Sequence, residues 1–493
     1  MRLDRLAMTP LSDAQIGAVE IQGLTADSRH VQPGYLFAAL SGVETDGHAF
    51  VSQAVENGAA AILTDKSQVL AADRVPVVAS ANPRRDLALM AARFFEAQPQ
   101  HIACVTGTNG KTSVATFLRQ ILSASGLKAA SMGTLGVEAD GYYQVLQHTT
   151  PDPVRLHAAL RDLSAHQVTH LAMEASSHGL AQHRLDGVRV AATGFTNLSR
   201  DHLDYHADFS DYRAAKERLF TELLAEDGTA VIFMGHEAGV QLAETCKQIG
   251  RTVLPVGRVG DTVHVDILAR QASGLELAVT LSGETRQIAV PLIGDFQVEN
   301  LAVALGLALA LGIAAIDVFK AVSFCAAPRG RMQFVGRNAK GAAAYVDYAH
   351  TPDALENALD ALRAHVPEGG RLLAMFGCGG DRDSGKRPEM GRAATAKADV
   401  VFITDDNPRH EDAAAIRSEI LGACPNAHEV ADRKLAIEKT LAMAEEKDLV
   451  LLAGKGHETG QIVGDTILPF DDITIAQAAL AAPHLSNEGG QHG

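Results

Sequence analysis

Residues 101–125 read HIACVT, then GTNGKTS, then VATFLRQILSAS. A short β-rich run, a glycine-bearing loop and a helical run follow one another without interruption. Glycines 107 and 110 let backbone N–H groups turn inward around phosphate oxygens, and the start of the following helix adds the positive end of its dipole. Lys111 is placed to neutralise terminal phosphate charge, and Thr112 to ligate Mg²⁺. The general pattern for such loops has a glycine five residues before Gly110, where this chain carries Val105, so the loop is a shortened variant. The stretch Gly107-Thr108-Asn109-Gly110-Lys111-Thr112-Ser113 therefore predicts a nucleotide site at the carboxyl end of a strand, and with it an α/β fold.

Downstream, strand-like runs AAAYVDYA, RLLAMF, DVVFIT and DLVLLAG alternate with helix-like stretches such as PDALENALDALRAH and DAAAIRSEILGA. That alternation predicts βαβ units on a parallel sheet, whose ligands bind beyond the carboxyl ends of the strands. Those ends carry Asp347-Tyr348-Ala349-His350, Gly377 to Arg382, Asp405-Asp406-Asn407-Pro408-Arg409 and Gly454-Lys455-Gly456-His457-Glu458. Four polar or glycine-rich loops on one edge point to a binding edge. Upstream, AFVSQAVENGAAAILTD, VPVVAS and a helix through Phe95 form a separate α/β texture. The chain is read as three domains, residues 1–98, 99–328 and 329–493.

The chain has 493 residues, a length suited to about three domains. Hydrophobic residues make up 47% and charged residues 21%, which excludes wholesale disorder. A net charge of −16 disfavours nucleic-acid binding, so an anionic substrate must be met by local cations or metal ions. The five cysteines are scattered and none has zinc-ligand spacing, so free thiols in a reducing compartment are expected. The N-terminal MRLDRLAMTPLSDAQ has no apolar core of the kind a signal peptide needs. The longest apolar run, Leu301 to Ile316, is shorter than the roughly 20 residues of a membrane span and is read as a buried helix. The tail SNEGGQHG is expected to be disordered.

Further ligand-bearing segments lie between the phosphate loop and residue 220. Glu174 ends the run THLAM, just before Ala175-Ser176-Ser177-His178-Gly179. The run Asn197 to His206 contains Asp201, His202, Asp204 and His206. Lys216 shares a helical stripe with Tyr212, Leu219, Phe220 and Leu223. From pattern alone, such a lysine is expected to snorkel to water.

Together these motifs resemble the Mur ligases, ADP-forming amide ligases of peptidoglycan stem-peptide synthesis. The resemblance covers essentially the whole chain. It rests on DSR (27–29), GTNGKTS (107–113), TTP (149–151), EASSHGL (174–180), TNLSRDHLDYH (196–206), YRAAKERLF (212–220), PRGRMQ (328–333), VDYAHTPDAL (346–355), GCGGDRDSGKRP (377–388), DDNPR (405–409) and AGKGHE (453–458). It implies an N-terminal α/β domain for the UDP end of the substrate, a central ATPase-like domain with a mostly parallel sheet, and a Rossmann-like C-terminal domain.

The resemblance assigns Ser28, Val43, Glu44 and Thr45 to the UDP end, and Thr149, Thr150, Ser176, Gln182 and Arg184 to the muramoyl-dipeptide. It assigns Asn300, Arg331 and Asp347, with the phosphate loop, to ATP. Thr112, Glu174 and His202 match Mg²⁺-site positions, and Lys216 matches a lysine that the family carbamylates. A carbamate turns +1 into −1 and suits a cation neighbour. Arg382, Asp406, Asn407, Pro408, Arg409, Gly454 and Glu458 match the site for meso-diaminopimelate. Two positions depart from the family pattern: His148 precedes Thr-Thr where Asn is common, and Gln297 stands where Asn is common.

The implied reaction adds meso-diaminopimelate to UDP-N-acetylmuramoyl-L-Ala-D-Glu through an acyl phosphate, with Lys111 neutralising charge and His202 and Lys216 in the metal site. The implied enzyme is cytoplasmic and monomeric, with no nucleic-acid partner and no membrane insertion. Rival readings are a lysine-adding ligase of the same family, a folylpolyglutamate synthase-like ligase, and a phosphate-loop binding module without catalysis. Arg409 argues for diaminopimelate through its match to the second carboxylate. The plainer reading is that it pairs with Asp405, Asp406 or Glu411.

Overall fold

The structure is a computed structural model that describes residues 1–11, 13–42, 46–65, 74–199, 205–257 and 262–481. Val43, Glu44, Thr45 and His202, named above, lie outside the described residues. The chain divides into two units: Met1–Thr262 with Val303–Ala314, and Val263–Ala302 with Ala315–Gly493.

The first unit opens with a four-stranded parallel sheet in the order Gly23–Thr25, Tyr35–Ala39, Ala61–Thr64, Val77–Ala79. The helix Pro83–Phe95 begins where Asn82 accepts from Arg85 N and Pro83 takes a position that needs no donor. It buries Leu87, Met90 and Ala91 against that domain's core. The main sheet of the unit is parallel across Thr252–Val256, Leu224–Phe233, Val190–Phe195, His101–Thr106, His170–Glu174 and Ala129–Gly133. Its far edge turns antiparallel through Gly136–Ala139 and Tyr142–Gln144. The phosphate-loop strand His101–Thr106 lies inside the sheet, between Val190–Phe195 and His170–Glu174. Its residues 102–105 are almost fully buried, which explains why that run is uniformly apolar.

The second unit contains an antiparallel meander, Val263–Gln271, Gly274–Leu281 and Glu284–Val290. It also holds a six-stranded sheet in the order Gln333–Arg337, Ala343–Asp347, Leu449–Ala453, Leu372–Phe376, Val400–Ile403, His428–Glu429. Only the first of these runs antiparallel. The four polar loops therefore do leave one edge, as expected from the alternation. The helix Pro352–Arg363 illustrates how local sequence sets these elements. Thr351 caps it, Pro352 starts it, and Leu355, Ala358, Leu359 and Leu362 form its buried stripe.

The apolar run from Leu301 is buried through Ala308 and again at Leu311, but Ile316 at its end is 45% exposed, and the run is not one helix. Asp295–Ala310 ends where Gly312 takes φ +86° and donates its N–H to Leu309 O, and Ala315–Val322 begins a second helix. Among the described residues no helix is long and apolar enough to cross a membrane. All five cysteines are buried free thiols.

Candidate active site

Three neighbouring parallel strands end together in the first unit and deliver three loops to one place. Gly107 follows the strand His101–Thr106, Glu174 ends His170–Glu174, and Thr196 follows Val190–Phe195. Thr108 N donates to Asn197 O (2.9 Å), Asn109 N to Asn197 Oδ1 (3.0 Å), and Thr196 Oγ1 to Asn109 O (2.6 Å). Gly107 has no room for a side chain, because a Cβ there would stand 1.9 Å from Thr196 Oγ1. The loop is thus braced from behind by the 196–199 segment while its front follows the start of the helix Lys111–Ala124. Lys111 Nζ folds back over the loop and donates to Gly107 O (2.9 Å) and Thr108 O (2.8 Å).

Lys216, on the helix Phe209–Arg218, reaches the same loop from below. Its side chain does not snorkel: the residue is 2% exposed, and Nζ donates to Gly107 O at 2.8 Å. The ammonium lies 4.6 Å from the centre of the Tyr212 ring, whose hydroxyl bonds Thr108 Oγ1 at 3.0 Å. A carbonyl and an aromatic face supply inside the protein part of what water would supply outside, which is why the stripe pattern misleads here.

Glu174 is 2% exposed. Its carboxylate accepts from Thr134 N (2.9 Å) and Thr134 Oγ1 (3.3 Å), and the Thr112 hydroxyl also bonds it. Burial raises its pKa, with the Lys111 charge and these hydrogen bonds opposing. Glu174 and Thr112 are thus brought together beside the phosphate loop. Among the described residues no cluster of three or more His, Cys, Asp or Glu stands ready for a metal ion.

Thr149, Thr150, Ser176, Gln182 and Arg184 form one hydrogen-bonded constellation. Thr149 Oγ1 bonds Thr134 Oγ1 (3.0 Å), and Thr150 Oγ1 donates to Glu174 O (3.0 Å) while accepting from Ser176 N (3.0 Å). Arg184 donates to Thr150 O (2.6 Å) and to Gln182 Oε1 (2.7 Å), and Gln182 Nε2 donates to Tyr205 Oη (2.9 Å). Ser28 is placed apart, in the N-terminal sheet domain, where its hydroxyl donates to Gln53 Oε1 (2.9 Å).

The second unit carries the remaining positions. Asn300 is buried and donates to Gln297 Oε1 (3.2 Å), so the departure at Gln297 supplies a partner rather than a gap. The Arg331 guanidinium sits 4.8 Å from the centre of the Tyr348 ring, and its charge acts on Asp347. Asp347 accepts from Met332 N (2.7 Å) and Ala349 N (2.8 Å), and burial raises its pKa.

At the neighbouring strand ends, Asp405 is bound by Arg417 and Glu411 by Arg387, while Asp406 faces Arg433 at 3.9 Å. These are the three carboxylates considered as partners for Arg409, and Arg409 pairs with none of them. It takes φ +52° and donates Nη1 to Gly380 O (2.7 Å); among the described residues it makes no ion pair. Asn407 Nδ2 donates to Glu458 Oε2 (3.1 Å), and Gly454 N donates to Asp347 O (3.1 Å). Pro408 is buried, whereas Arg382 is exposed and makes only a long bond to Asp381 O (3.3 Å).

Three family descriptions match consecutive stretches of the chain: "Mur ligase family, catalytic domain" over residues 20–95, "Mur ligase middle domain" over 105–308 and "Mur ligase, glutamate ligase domain" over 330–456. A Brucella melitensis protein named UDP-N-acetylmuramoyl-L-alanyl-D-glutamate--2,6-diaminopimelate ligase is 47% identical, across 98% of this chain and 99% of its own. This chain belongs to the Mur ligase family. A relative of the same name from Bradyrhizobium diazoefficiens is 49% identical across 95% and 96% of the two chains. A solved structure of a ligase of that name superposes with TM-score 0.75 at 31% identity, covering 97% of this chain and 98% of that one. The chain thus has the three-domain α/β fold of the Mur ligases, an ATP-dependent, amide-forming family.

Several residues of this Mur ligase that complete the two clusters carry no distinctive signal in the sequence. Thr134 holds Glu174 from a turn 40 residues away. Tyr212 reads only as part of an apolar stripe, and Tyr348 only as one residue of a loop. Lys455 lies within the quoted AGKGHE motif, but nothing in that string tells that its ammonium is buried.

Proposed function

We propose that this chain joins meso-diaminopimelate to the D-Glu γ-carboxylate of UDP-N-acetylmuramoyl-L-Ala-D-Glu, forming an amide, ADP and phosphate. The observation that carries the choice of amino acid is Arg409. Its guanidinium stands at the binding edge on Gly380 O and makes no ion pair among the described residues, while its charge is felt by Asp381. The shared name of full-length relatives supports the same reading.

In this reading the γ-carboxylate attacks the γ-phosphate of ATP, giving an acyl phosphate whose phosphate then leaves as the amine of diaminopimelate attacks the acyl carbon. Such phosphoryl transfer needs charge neutralisation and in-line positioning more than a covalent enzyme group. Gly107 to Ser113 cradle the phosphates, and Lys111, whose ammonium lies on carbonyls of its own loop, swings to the γ-phosphate. Asn300, Arg331 and Asp347 hold the rest of the nucleotide. Thr149, Thr150, Ser176, Gln182 and Arg184 orient the dipeptide, and Ser28 with Val43, Glu44 and Thr45 holds the UDP end. Arg382, Asp406, Asn407, Pro408, Arg409, Gly454 and Glu458 receive diaminopimelate.

Mg²⁺ fits the donor chemistry at the phosphate loop, where Glu174 and Thr112 offer hard oxygen ligands. Its positive charge there would offset that of the phosphates. His202 and a carbamylated Lys216 complete the proposed metal environment. The proposed domains run 1–98, 99–328 and 329–493. The five buried thiols agree with a reducing, cytoplasmic setting, and the enzyme is proposed to act as a monomer.

The test is phosphate release from ATP with the UDP-linked dipeptide and one amino acid at a time. Release that depends on meso-diaminopimelate is expected. Release with lysine alone would move the chain to the lysine-adding ligases, and release only with glutamate to the folylpolyglutamate type. Nucleotide binding with no release under any condition would make it a binding module.

A further inference from the structure

Lys455 is 0% exposed, yet all three of its donors are engaged. Nζ donates to Asn407 Oδ1 (2.7 Å) and Gly460 O (2.8 Å), and lies 3.5 Å from Glu458 Oε2. These acceptors belong to two chain segments, the loop of Asn407 and the stretch Glu458 to Gly460 that follows Lys455, which meet at the carboxyl edge of the second unit's sheet. Burial lowers the lysine pKa, while the Asp406 and Glu458 charges oppose that shift.

An asparagine amide presents an acceptor on one side and a donor on the other, and exchanging them costs only a flip of the side chain. At Asn407 the flip is closed. A lysine ammonium has no acceptor, so it requires Oδ1. Ile462 N donates to that same oxygen at 2.9 Å. Nδ2 is therefore turned the other way, where it donates to Glu458 Oε2 at 3.1 Å. The Glu458 carboxylate is drawn in by both Asn407 and Lys455. Arg409 is held alongside, because its N donates to Ile462 O (3.1 Å) and its O accepts from Gly464 N (2.7 Å).

We propose that Lys455 is a positioning residue for amino-acid selection: it fixes Asn407 with its donor outward and Glu458 as the adjoining acceptor, so that with Arg409 they match a second carboxylate-and-ammonium group. This inference rests on the diaminopimelate reading. The far end of meso-diaminopimelate carries both groups, and the far end of lysine carries an ammonium alone. Two donors and one carboxylate held in fixed order match the first and leave two donors idle with the second.

The experiment compares wild type with Lys455→Met, which keeps an apolar side chain of similar length and removes the ammonium. Hydroxylamine traps the acyl phosphate as a hydroxamate without any amino acid, so it reads the first half-reaction by itself. The expected result is an unchanged hydroxamate rate and a KM for diaminopimelate raised roughly ten- to hundred-fold, the worth of one hydrogen bond to a charged group. The preference over lysine should fall by a similar factor. Asn407→Asp provides a second route should Lys455→Met not fold. It keeps an oxygen for Lys455 and Ile462 but replaces the outward donor with an acceptor, and it should lose diaminopimelate use while hydroxamate formation persists. A folded Lys455→Met with wild-type KM, an equal loss in both half-reactions, or an Asn407→Asp enzyme that still selects diaminopimelate would overturn the inference. Failure of the wild type to use diaminopimelate at all would overturn the substrate reading, and this inference with it.

Discussion

Replacing Arg409 by methionine is the most direct probe of amino-acid choice. The guanidinium has five N–H donors, and among the described residues only Nη1 is engaged, on Gly380 O. Two parallel donors therefore remain for a carboxylate in the bidentate geometry that arginine favours. At about 1.5–3 kcal/mol for each hydrogen bond to a charged group, the pair is worth about 3–6 kcal/mol, or roughly 10²–10⁴ in kcat/KM. Losing the bond to Gly380 O should cost stability by only about 1 kcal/mol. Arg417, Arg387 and Arg433 already hold Asp405, Glu411 and Asp406, so none of these carboxylates is stranded by the change. The assay is steady-state phosphate release with diaminopimelate and with lysine, for both proteins. The expected result is a strong wild-type preference that collapses through loss of diaminopimelate use, with the lysine value unchanged. Equal use of both amino acids by the wild type, or an intact preference in Arg409→Met, would show that another group makes the selection.

Burial raises the pKa of Glu174, so the folded chain binds that proton more tightly than the unfolded chain does. Its destabilising effect is absent in acid and grows as pH rises past the ordinary glutamate range. Glu174→Gln should therefore melt above the wild type at neutral pH without Mg²⁺ or nucleotide, with a gap that closes as pH falls, and should lose ligase activity; a pH-independent gap would refute the assignment. Arg433 and Asp472 form a fully buried ion pair (2.6 Å), so Arg433→Met should cost about 3–5 kcal/mol by leaving a lone buried carboxylate. Adding Asp472→Leu should recover most of that. The chain has no tryptophan, so urea unfolding is followed by far-UV circular dichroism, and a loss below about 1 kcal/mol would mean the pair behaves like a surface one. Lys216→Ala should abolish turnover in a folded protein, and added short carboxylates should restore part of it if a carbamate is the working group; full activity without rescue would remove Lys216 from the site.

The sequence by itself determined the elements whose signals are continuous along the chain. The phosphate loop is a strand, a turn and a helix start within 25 residues, and its glycine and lysine positions are dictated locally. The parallel C-terminal sheet is equally legible, because uniformly apolar strands alternating with capped amphipathic helices admit few other arrangements. The Val263–Val290 meander escaped notice: its strands alternate in burial and read as ordinary mixed sequence. The apolar run from Leu301 showed burial but not the break at Gly312, since glycine is tolerated within a helix, as at Gly306, and also takes a positive φ without strain, as at Gly312, so the residue alone does not tell the two apart. The site's finer logic was set by tertiary structure alone. Lys216 finds the Gly107 carbonyl 109 residues away, and Lys455 finds Asn407 at a separation of 48. Whether a lysine on an apolar face reaches water or turns inward depends on the acceptor that the fold brings opposite it, and whether an arginine is free for a ligand depends on which neighbours have already taken the nearby carboxylates. Both are decided by which strand ends the sheet order places side by side, and local sequence does not encode that order.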